Sequence, residues 1–298
     1  MEKGKIIKAI SGFFYVKTEK GLYECKGRGI LRKEKIRPLV GDMVEISVKE
    51  GDKKEGIVEK VLPRKNQLLR PEIVNVDQVI IVLSSKNPSP SLMLTDKIIS
   101  LGERQGLSVV LCLNKADLLE KEDLLIVEMK KIYEPVGYPI VLTSTKKAMG
   151  IEDLSRELKG KVSVFAGPSG VGKSSLLNAI KPGLSLKTGE VSERIQRGKH
   201  TTRHTELMEI WEDGWVADTP GFGHLDIDEI PREDLRFTFR DFLEPMEECK
   251  FLSCLHLKEP NCGVKKAVKE GRIAKKRYEH YEHFMMNYET KPWKRSGM

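Results

Sequence analysis

Three short runs carry residue types that could handle a phosphorylated ligand. Gly167-Pro168-Ser169-Gly170-Val171-Gly172-Lys173-Ser174 matches G-x-x-x-x-G-K-[ST]. Its glycines let backbone N–H groups turn toward a phosphate, and the helix that follows adds partial positive charge at its N-terminus. Lys173 can reach the outer phosphates, the Ser174 hydroxyl can ligate Mg²⁺, and Ser175 opens the helical segment Ser175–Ile180. Asn114-Lys115-Ala116-Asp117 matches N-K-x-D. Alone it is an ordinary helix cap, but beside a P-loop it gains a second meaning. The Asp117 carboxylate can accept from the ring N–H and the exocyclic amine of guanine, a donor pair that adenine lacks. A site built on such bonds rejects the wrong base by ~10⁴–10⁵-fold. Asn114 would hold neighbouring loops and the base edge, and the Lys115 stem would cover the base face. Ser144-Thr145-Lys146 could then present a backbone N–H to the guanine oxygen.

Two further runs suit the γ-phosphate end. Asp218-Thr219-Pro220-Gly221 follows the apolar Trp215-Val216-Ala217. Asp218 can hold a Mg²⁺-bound water, and the Gly221 N–H can meet the γ-phosphate. Between it and the P-loop lies Gly198-Lys199-His200-Thr201-Thr202-Arg203-His204, one of whose threonines, Thr202 in preference to Thr201, can complete the Mg²⁺ shell. Together these are the recurring parts of a GTPase. Their order is permuted, because the base-reading runs precede the P-loop and the γ-phosphate runs come last. Phe222 stands where Ras-like proteins carry a water-orienting Gln. Phe cannot bind water, so His200 is the candidate to orient it, and slow hydrolysis with strong stimulation by a partner is expected.

A separate cluster is Cys249-x₄-Cys254-x-His256-x₅-Cys262. Three thiolates and one imidazole suit tetrahedral zinc, and a closed four-ligand shell implies a structural role. Cys25 and Cys112 sit in strand-like apolar runs and read as core residues. The five cysteines are an odd number in a long chain, which argues for a reducing compartment over a disulfide framework.

The elements that must position these runs can be read from apolar patterning. Residues 1–70 hold short runs rich in Ile, Val, Phe and Tyr: Lys5–Ile10, Gly12–Val16, Leu22–Lys26, Met43–Val48 and Gly56–Leu62. Five such strands predict a small closed barrel, with an OB-fold as the leading candidate. Arg28–Arg37, with five basic residues, reads as a phosphate-contacting loop or a solvated one. From residue 71 to 226 strands alternate with helical segments. Gln78–Ser84, Ser108–Leu113, Pro139–Thr143 and Lys161–Ala166 read as buried strands. Leu94, Ile98 and Leu101 mark one helix, and Leu125, Met129 and Ile132 another. This alternation predicts a parallel sheet covered by helices, with ligand loops at the carboxyl ends of the strands. Residues 227–298 hold the cysteine cluster and a basic helical stretch with Tyr278 and Tyr281 interleaved, read as an RNA-facing surface or a solvated face.

Charge fits that division. The chain has 298 residues and a net charge of +8. Residues 1–70 carry 18 basic and 10 acidic groups, residues 71–263 carry 24 and 30, and residues 264–298 carry 10 and 4. Two basic ends around an acidic middle suit a large polyanion better than a small buried anion. No apolar run approaches the length of a signal peptide or a spanning helix, so a cytoplasmic protein without membrane contact is expected.

The permuted order, Gly167–Ser175, Gly198–His204, Asp218–Phe222, the Cys249/Cys254/His256/Cys262 cluster and Asn75-Val76-Asp77-Gln78 together resemble the bacterial ribosome small subunit-dependent GTPase A family over nearly the whole chain. The resemblance implies an N-terminal OB-fold, a central permuted GTPase and a C-terminal, mainly helical zinc domain. It implies a role in late maturation of the small ribosomal subunit, with hydrolysis stimulated by that subunit; contact with its rRNA, binding of GTP or GDP and a monomeric chain are expected. At matching positions it implies guanine contacts from Asn114, Lys115 and Asp117, phosphate contacts from Gly167–Ser175, zinc on Cys249, Cys254, His256 and Cys262, and His200 as the catalytic histidine. Three rivals remain at this level. A small-molecule kinase leaves Asn114–Asp117 unexplained. A scaffold with a vestigial site does not need intact Lys173, Ser174 and Asp218. A GTPase acting on tRNA or the large subunit is set aside only by the resemblance.

Overall fold

The computed structural model describes residues 1–48, 54–69, 71–120, 123–184, 205–210, 213–217 and 227–290. Strands β1 (Glu2–Ile10), β2 (Phe13–Thr18), β3 (Gly21–Gly27), β4 (Met43–Val48) and β5 (Glu55–Val61) close a barrel in the order β1-β2-β3-β5-β4. The closing β3–β5 pair is parallel and the other pairs are antiparallel. Period-two patterning puts Ile6, Val16, Tyr23, Cys25, Val44, Ile46 and Val58 inside. The Arg28–Arg37 segment, read as a loop, contains a short helix, α1 (Gly29–Lys33).

A hairpin that the sequence patterning did not reveal, β6 (Gln67–Leu69) with β7 (Glu72–Val74), follows the barrel. It is held there by Val74 N–H donating to the Val40 carbonyl at 3.0 Å and by Asn75 Nδ2 donating to the Gly41 carbonyl at 3.0 Å. The fully buried Asp42 carboxylate accepts from Arg64 Nε at 2.8 Å, Arg64 Nη2 at 2.9 Å and Leu39 N–H at 2.7 Å. A buried carboxylate needs that degree of satisfaction.

The central sheet has the order β10 (Ile140–Leu142), β9 (Ser108–Asn114), β8 (Gln78–Ser84), β11 (Val162–Ala166), β13 (Trp215–Ala217), β12 (Leu207–Glu209). Five strands are parallel, and β12 is an antiparallel edge on β13, where a wholly parallel sheet was expected. Alternate residues of each buried strand face opposite layers. Ile80, Val82, Val110 and Cys112 pack with α4 (Ile151–Leu158) and α5 (Lys173–Ile180). Val79, Ile81, Leu83, Val109, Leu111 and Leu113 pack with α2 (Leu92–Arg104) and α3 (Leu124–Tyr133). Both faces are apolar because both are covered, which is why these strands read as unbroken hydrophobic runs. Strand order reverses between β8 and β11, and ligands of such sheets bind at that switch point, beyond the carboxyl ends of the strands.

The C-terminal part is built from three short 3₁₀ turns and α6 (Leu243–Met246), α7 (Gly263–Lys269) and α8 (Lys275–Thr290). Gly271, at φ +76, separates α7 from α8, so the basic stretch is two helices. Tyr278 and Tyr281 face inward and pack with Phe239 and Phe242, and Phe284 packs on Phe239. Arg277, one of the residues read as an RNA-facing surface, is fully buried. Its guanidinium meets Asp96 Oδ1 of α2 at 2.5 Å and both Asp241 oxygens, at 2.9 and 2.7 Å, and lies 5.0 Å from the Phe239 ring centroid. His280 Nδ1 meets the second Asp96 oxygen at 2.5 Å. Burial alone disfavours charge on Arg277, but the two carboxylates more than reverse this and raise its pKa above the ordinary value.

Arg277→Ala would strand two buried carboxylates. We expect it to destabilise the chain by about 3–5 kcal/mol in urea unfolding. Arg277→Lys should recover only part of that, because an ammonium cannot reproduce the planar fork between two acids.

Candidate functional site

The P-loop follows β11 and leads into α5. Gly167 takes φ +132, and a side chain there would run into the Val82 carbonyl of β8. Gly172 takes φ +97 at the N-cap of α5, and a Cβ there would strike Asn114 Nδ2. Glycine at both positions therefore reflects close approach as well as turn geometry. Ser174 and Ser175 lie in the first turn of α5. Lys173 Nζ donates to the Gly167 carbonyl at 2.7 Å and the Pro168 carbonyl at 2.8 Å, and burial lowers its pKa. An ammonium that is half-desolvated and held by neutral carbonyls is poised to take a phosphate oxygen.

The loop after β9 is fastened to this P-loop. Buried Asn114 donates from Nδ2 to the Val171 carbonyl at 2.8 Å, and its Oδ1 accepts from Thr143 Oγ1 at 3.2 Å. Lys115, in the left-handed region at φ 60, donates to the Gly170 carbonyl at 2.9 Å and to the Asn87 carbonyl. Ser85 Oγ in turn holds the Lys115 carbonyl at 2.6 Å. Ala116 N–H donates to the Thr143 carbonyl at 2.9 Å and begins a 3₁₀ turn. That turn presents Asp117 to Ser144, whose Oγ donates to Asp117 Oδ1 at 2.6 Å. This bond is the largest cause of a lowered Asp117 pKa. Asp117 therefore stays ionised, as an acceptor of two donors must. The loop after β10 is braced by reciprocal Ser144–Met149 backbone bonds and by Lys147 N–H on Ser144 Oγ at 3.1 Å, and Thr145 follows directly.

A second cluster lies in the C-terminal part. One ligand atom from each of Cys249, Cys254, His256 and Cys262 falls within 4.8 Å of the others. Cys249 Sγ lies 3.9 Å from Cys262 Sγ, and His256 Nδ1 lies 3.6 and 3.4 Å from Cys249 and Cys262 Sγ. A tetrahedral ion with Zn–S near 2.3 Å and Zn–N near 2.0 Å has edges of about 3.8 and 3.5 Å, so the donor set fits. Nδ1, not Nε2, faces the thiols. Gly263 N–H and Lys265 N–H donate to Cys249 and Cys262 Sγ at 3.3 and 3.4 Å. Burial pushes the Cys254 thiol up to about 12 and the His256 imidazole down to about 4. A neutral imidazole is already in its ligand form, and a bound cation would take the thiols as thiolates. The loop is shaped by the Glu259 carboxylate, which accepts from Leu255 and Leu257 N–H at 2.7 and 2.9 Å.

With this geometry in hand, two family models match: the RsgA N-terminal domain over residues 3–58 and the RsgA GTPase over residues 61–228. The chain belongs to the RsgA GTPase family. It is 54% identical over 281 residues to the small ribosomal subunit biogenesis GTPase RsgA of Alkaliphilus metalliredigens, covering 94% of this chain and 96% of that one. It is 48% identical over 291 residues to the RsgA of Bacillus subtilis, covering 96% and 97%. Among solved structures it resembles YjeQ from Thermotoga maritima, with TM-score 0.86, 41% identity and coverage of 98% and 99%. It also resembles YloQ, described as a circularly permuted GTPase, with TM-score 0.84, 43% identity and coverage of 99% and 97%.

The fold brings Asn114–Asp117, Ser144, Thr145 and Gly167–Ser175 to one rim of the RsgA GTPase sheet. His200, Thr202, Asp218 and Gly221 lie outside the described residues. Sequence reasoning missed Thr143, which completes the hydrogen bonding of Asn114, and Ser85 and Asn87, which hold Lys115. Their signal is weak, because a lone Thr or Ser at a strand end serves many roles. For the cysteine cluster, we expect a strong chelator to release a single metal ion per full-length chain and to lower its thermal midpoint, as Cys262→Ser should. The released metal is identified by elemental analysis, and calorimetry reads the midpoint.

Proposed function

We propose that this RsgA-family GTPase binds the small ribosomal subunit and couples GTP hydrolysis to the subunit's late maturation and to its own release. The observation that carries the reading is the direct fastening of the Asn114-Lys115 loop to the P-loop, in a chain 54% identical to a relative named for small ribosomal subunit biogenesis. Residues 1–70 would serve as an OB-fold contacting rRNA, 71–226 as the permuted GTPase, and 227–298 as the zinc module. Asp117 reads guanine, with Ser144 and Thr145 at its oxygen. Gly167–Ser175 cradle the phosphates, with Lys173 on the outer ones. Ser174 and Thr202 would hold magnesium with GTP, Asp218 would hold a magnesium-bound water, and the ion would supply positive charge to the phosphate oxygens. Gly221 meets the γ-phosphate, and His200 orients the hydrolytic water.

Hydrolysis then waits for docking, because Phe222 cannot supply the water contact. Supplying such a group through a partner is worth ~10³–10⁵-fold in related systems. Zinc on Cys249, Cys254, His256 and Cys262 would be structural. Among the described residues no helix is long and apolar enough to cross a membrane, and a monomer acting in the cytoplasm fits the reading.

Two measurements test this. GTP turnover with purified small subunits, large subunits, tRNA or none should rise at least ~10³-fold with small subunits alone. His200→Ala should lose that rise while binding GTP normally. A rise with large subunits or tRNA instead would reassign the partner. In the second, wild-type discrimination for GTP over ATP should be on the order of 10⁴ and should fall at least ~100-fold in Asp117→Ala. Retained discrimination would remove Asp117 from the base site.

A further inference from the structure

One contact of the barrel with the GTPase sheet, among the described residues, is at the edge strand β12. Lys8 of β1 forms an antiparallel bridge with Glu206, one residue before β12. The same pair is joined through side chains, with Lys8 Nζ 2.8 Å from Glu206 Oε2. Lys17 of β2 lies 3.4 Å from Glu209 at the other end of β12. Between them Lys5 Nζ sits 5.1 Å from the ring centroid of buried Trp215, the residue paired with Glu209 across β12 and β13. Burial lowers the Lys5 pKa, although Asp77, Asp213 and Glu209 oppose the shift. Three lysines of the barrel thus grip one two-stranded unit of the sheet.

The place of that unit in the chain gives the grip its meaning. Residue 204 ends the Gly198–His204 run shortly before β12, and β13 ends at Ala217, directly before Asp218. The hairpin is therefore the link between the two runs assigned to the γ-phosphate, and this step rests on that assignment. The register pairs Leu207 with Ala217, so Glu206 lies at the end of the hairpin where β13 finishes.

The barrel has a second attachment of different character. Asn75 Oδ1 accepts from Lys65 N–H at 2.8 Å while Asn75 Nδ2 holds Gly41. Asp77 Oδ2 accepts from Val162 N–H of β11 at 2.8 Å, and Lys65 Nζ meets Asp77 at 2.5 Å. These bonds tie the barrel and its hairpin to the end of the sheet away from the nucleotide rim, because Asp77 and Val162 precede or begin their strands. The side chains of the Lys8–Glu206 and Lys17–Glu209 pairs are 32–43% exposed. Exposed pairs contribute little each, roughly 0–1 kcal/mol. Such contacts can be made and broken within a nucleotide cycle, and the Asn75–Asp77 attachment can act as the pivot.

We propose that the Lys8–Glu206 and Lys17–Glu209 contacts form the joint through which nucleotide state sets the attitude of the barrel, and hence its engagement of RNA. A shift of the β12–β13 hairpin would move Glu206 and Glu209 against their lysines and turn the barrel about Asn75–Asp77. Occupation of the barrel by RNA would in turn bias the hairpin, since coupling between two sites is reciprocal.

The test uses the full chain and purified small ribosomal subunits, with GDP or a non-hydrolysable GTP analogue. The readout is the ratio of subunit affinities in the two nucleotide states, which cancels any loss of general RNA attraction. The wild type should prefer one state by about 5–150-fold, the usual range of coupling. Lys8→Glu with Lys17→Glu should bring that ratio to near parity while leaving guanine-nucleotide affinity unchanged. Adding Glu206→Lys and Glu209→Lys should restore it. A double variant that keeps the wild-type ratio, or a ratio that the added reversals do not restore, overturns the joint and leaves the GTPase reading intact. A wild type with no preference between nucleotides overturns both. Hydrogen exchange supplies a local readout, since amides of Lys5–Ile10 should exchange differently in the GDP and analogue states of the wild type. Equal exchange in the two states also overturns the joint.

Discussion

The site depends on one buried amide. Asn114 sits at the end of β9 with its side chain sealed from solvent, so both its polar atoms must find partners within the protein. One partner is the Val171 carbonyl of the P-loop, and the other is the Thr143 hydroxyl after β10. Three loops that are far apart in sequence are thereby held at one point. Lys115 repeats the arrangement a step further out, on Gly170 and Asn87. An unmade bond at such a position costs about 1–3 kcal/mol, so the loops are fixed before any ligand arrives. This also explains why the permuted order is harmless. What the site requires is the carboxyl ends of neighbouring strands β8, β9, β10 and β11, joined by side-chain bonds. None of those bonds depends on which strand the chain visits first.

The parts of the molecule are attached with unequal firmness. The C-terminal helices are fixed to α2 through Arg277, a buried cation between Asp96 and Asp241. Removing one member leaves an uncompensated charge in apolar surroundings, so this connection does not open gradually. The zinc-type cluster is joined to the same body, because the Tyr278 hydroxyl donates to the His256 carbonyl at 2.6 Å and the Tyr281 hydroxyl to the Leu255 carbonyl at 2.8 Å. Other cations of this stretch lie at the surface beside acidic partners. Lys266 and Arg272 are paired with Glu248, Lys275 with Glu279 and Lys276 with Glu128. These pairs are exposed and weak, so of the cations in this stretch it is Arg277 whose charge is enclosed.

Sequence patterning made some features legible and hid others, for physical reasons. The barrel strands and the buried strands β8, β9 and β11 were readable because burial on one face or two leaves a distinct period. The P-loop was readable because phosphate binding needs glycines at fixed spacing, and Gly167 and Gly172 also sit against Val82 and Asn114. The cysteine cluster was readable because soft ligands rarely converge without cause. The hairpin Gln67–Val74 and the edge strand Leu207–Glu209 were not, because three-residue strands are too short to show a period. Arg277 could not be told from its neighbours, since a lysine- and arginine-rich helix gives no sign of which cation turns inward. The sign lies in the partners, Asp96 and Asp241, which are distant in sequence. Thr143 was invisible on the same ground, because its role exists only through Asn114.

The contrast between the two attachments bears on how a nucleotide signal could travel. A rigid connection transmits motion only by carrying its whole body along, and Arg277 makes the C-terminal helices part of the body that holds α2. A soft connection can change its own geometry at little cost. The barrel is held at β12 by exposed ion pairs and one cation–π contact, and at the far end by the Asn75 and Asp77 hydrogen bonds. Of the two basic ends of the chain, the N-terminal one is therefore free to reorient relative to the sheet with few buried bonds broken. The C-terminal one would have to break a desolvated charge network first. A loop change of modest energy favours the softer route, and the softer route runs through β12, the edge strand the barrel lysines meet.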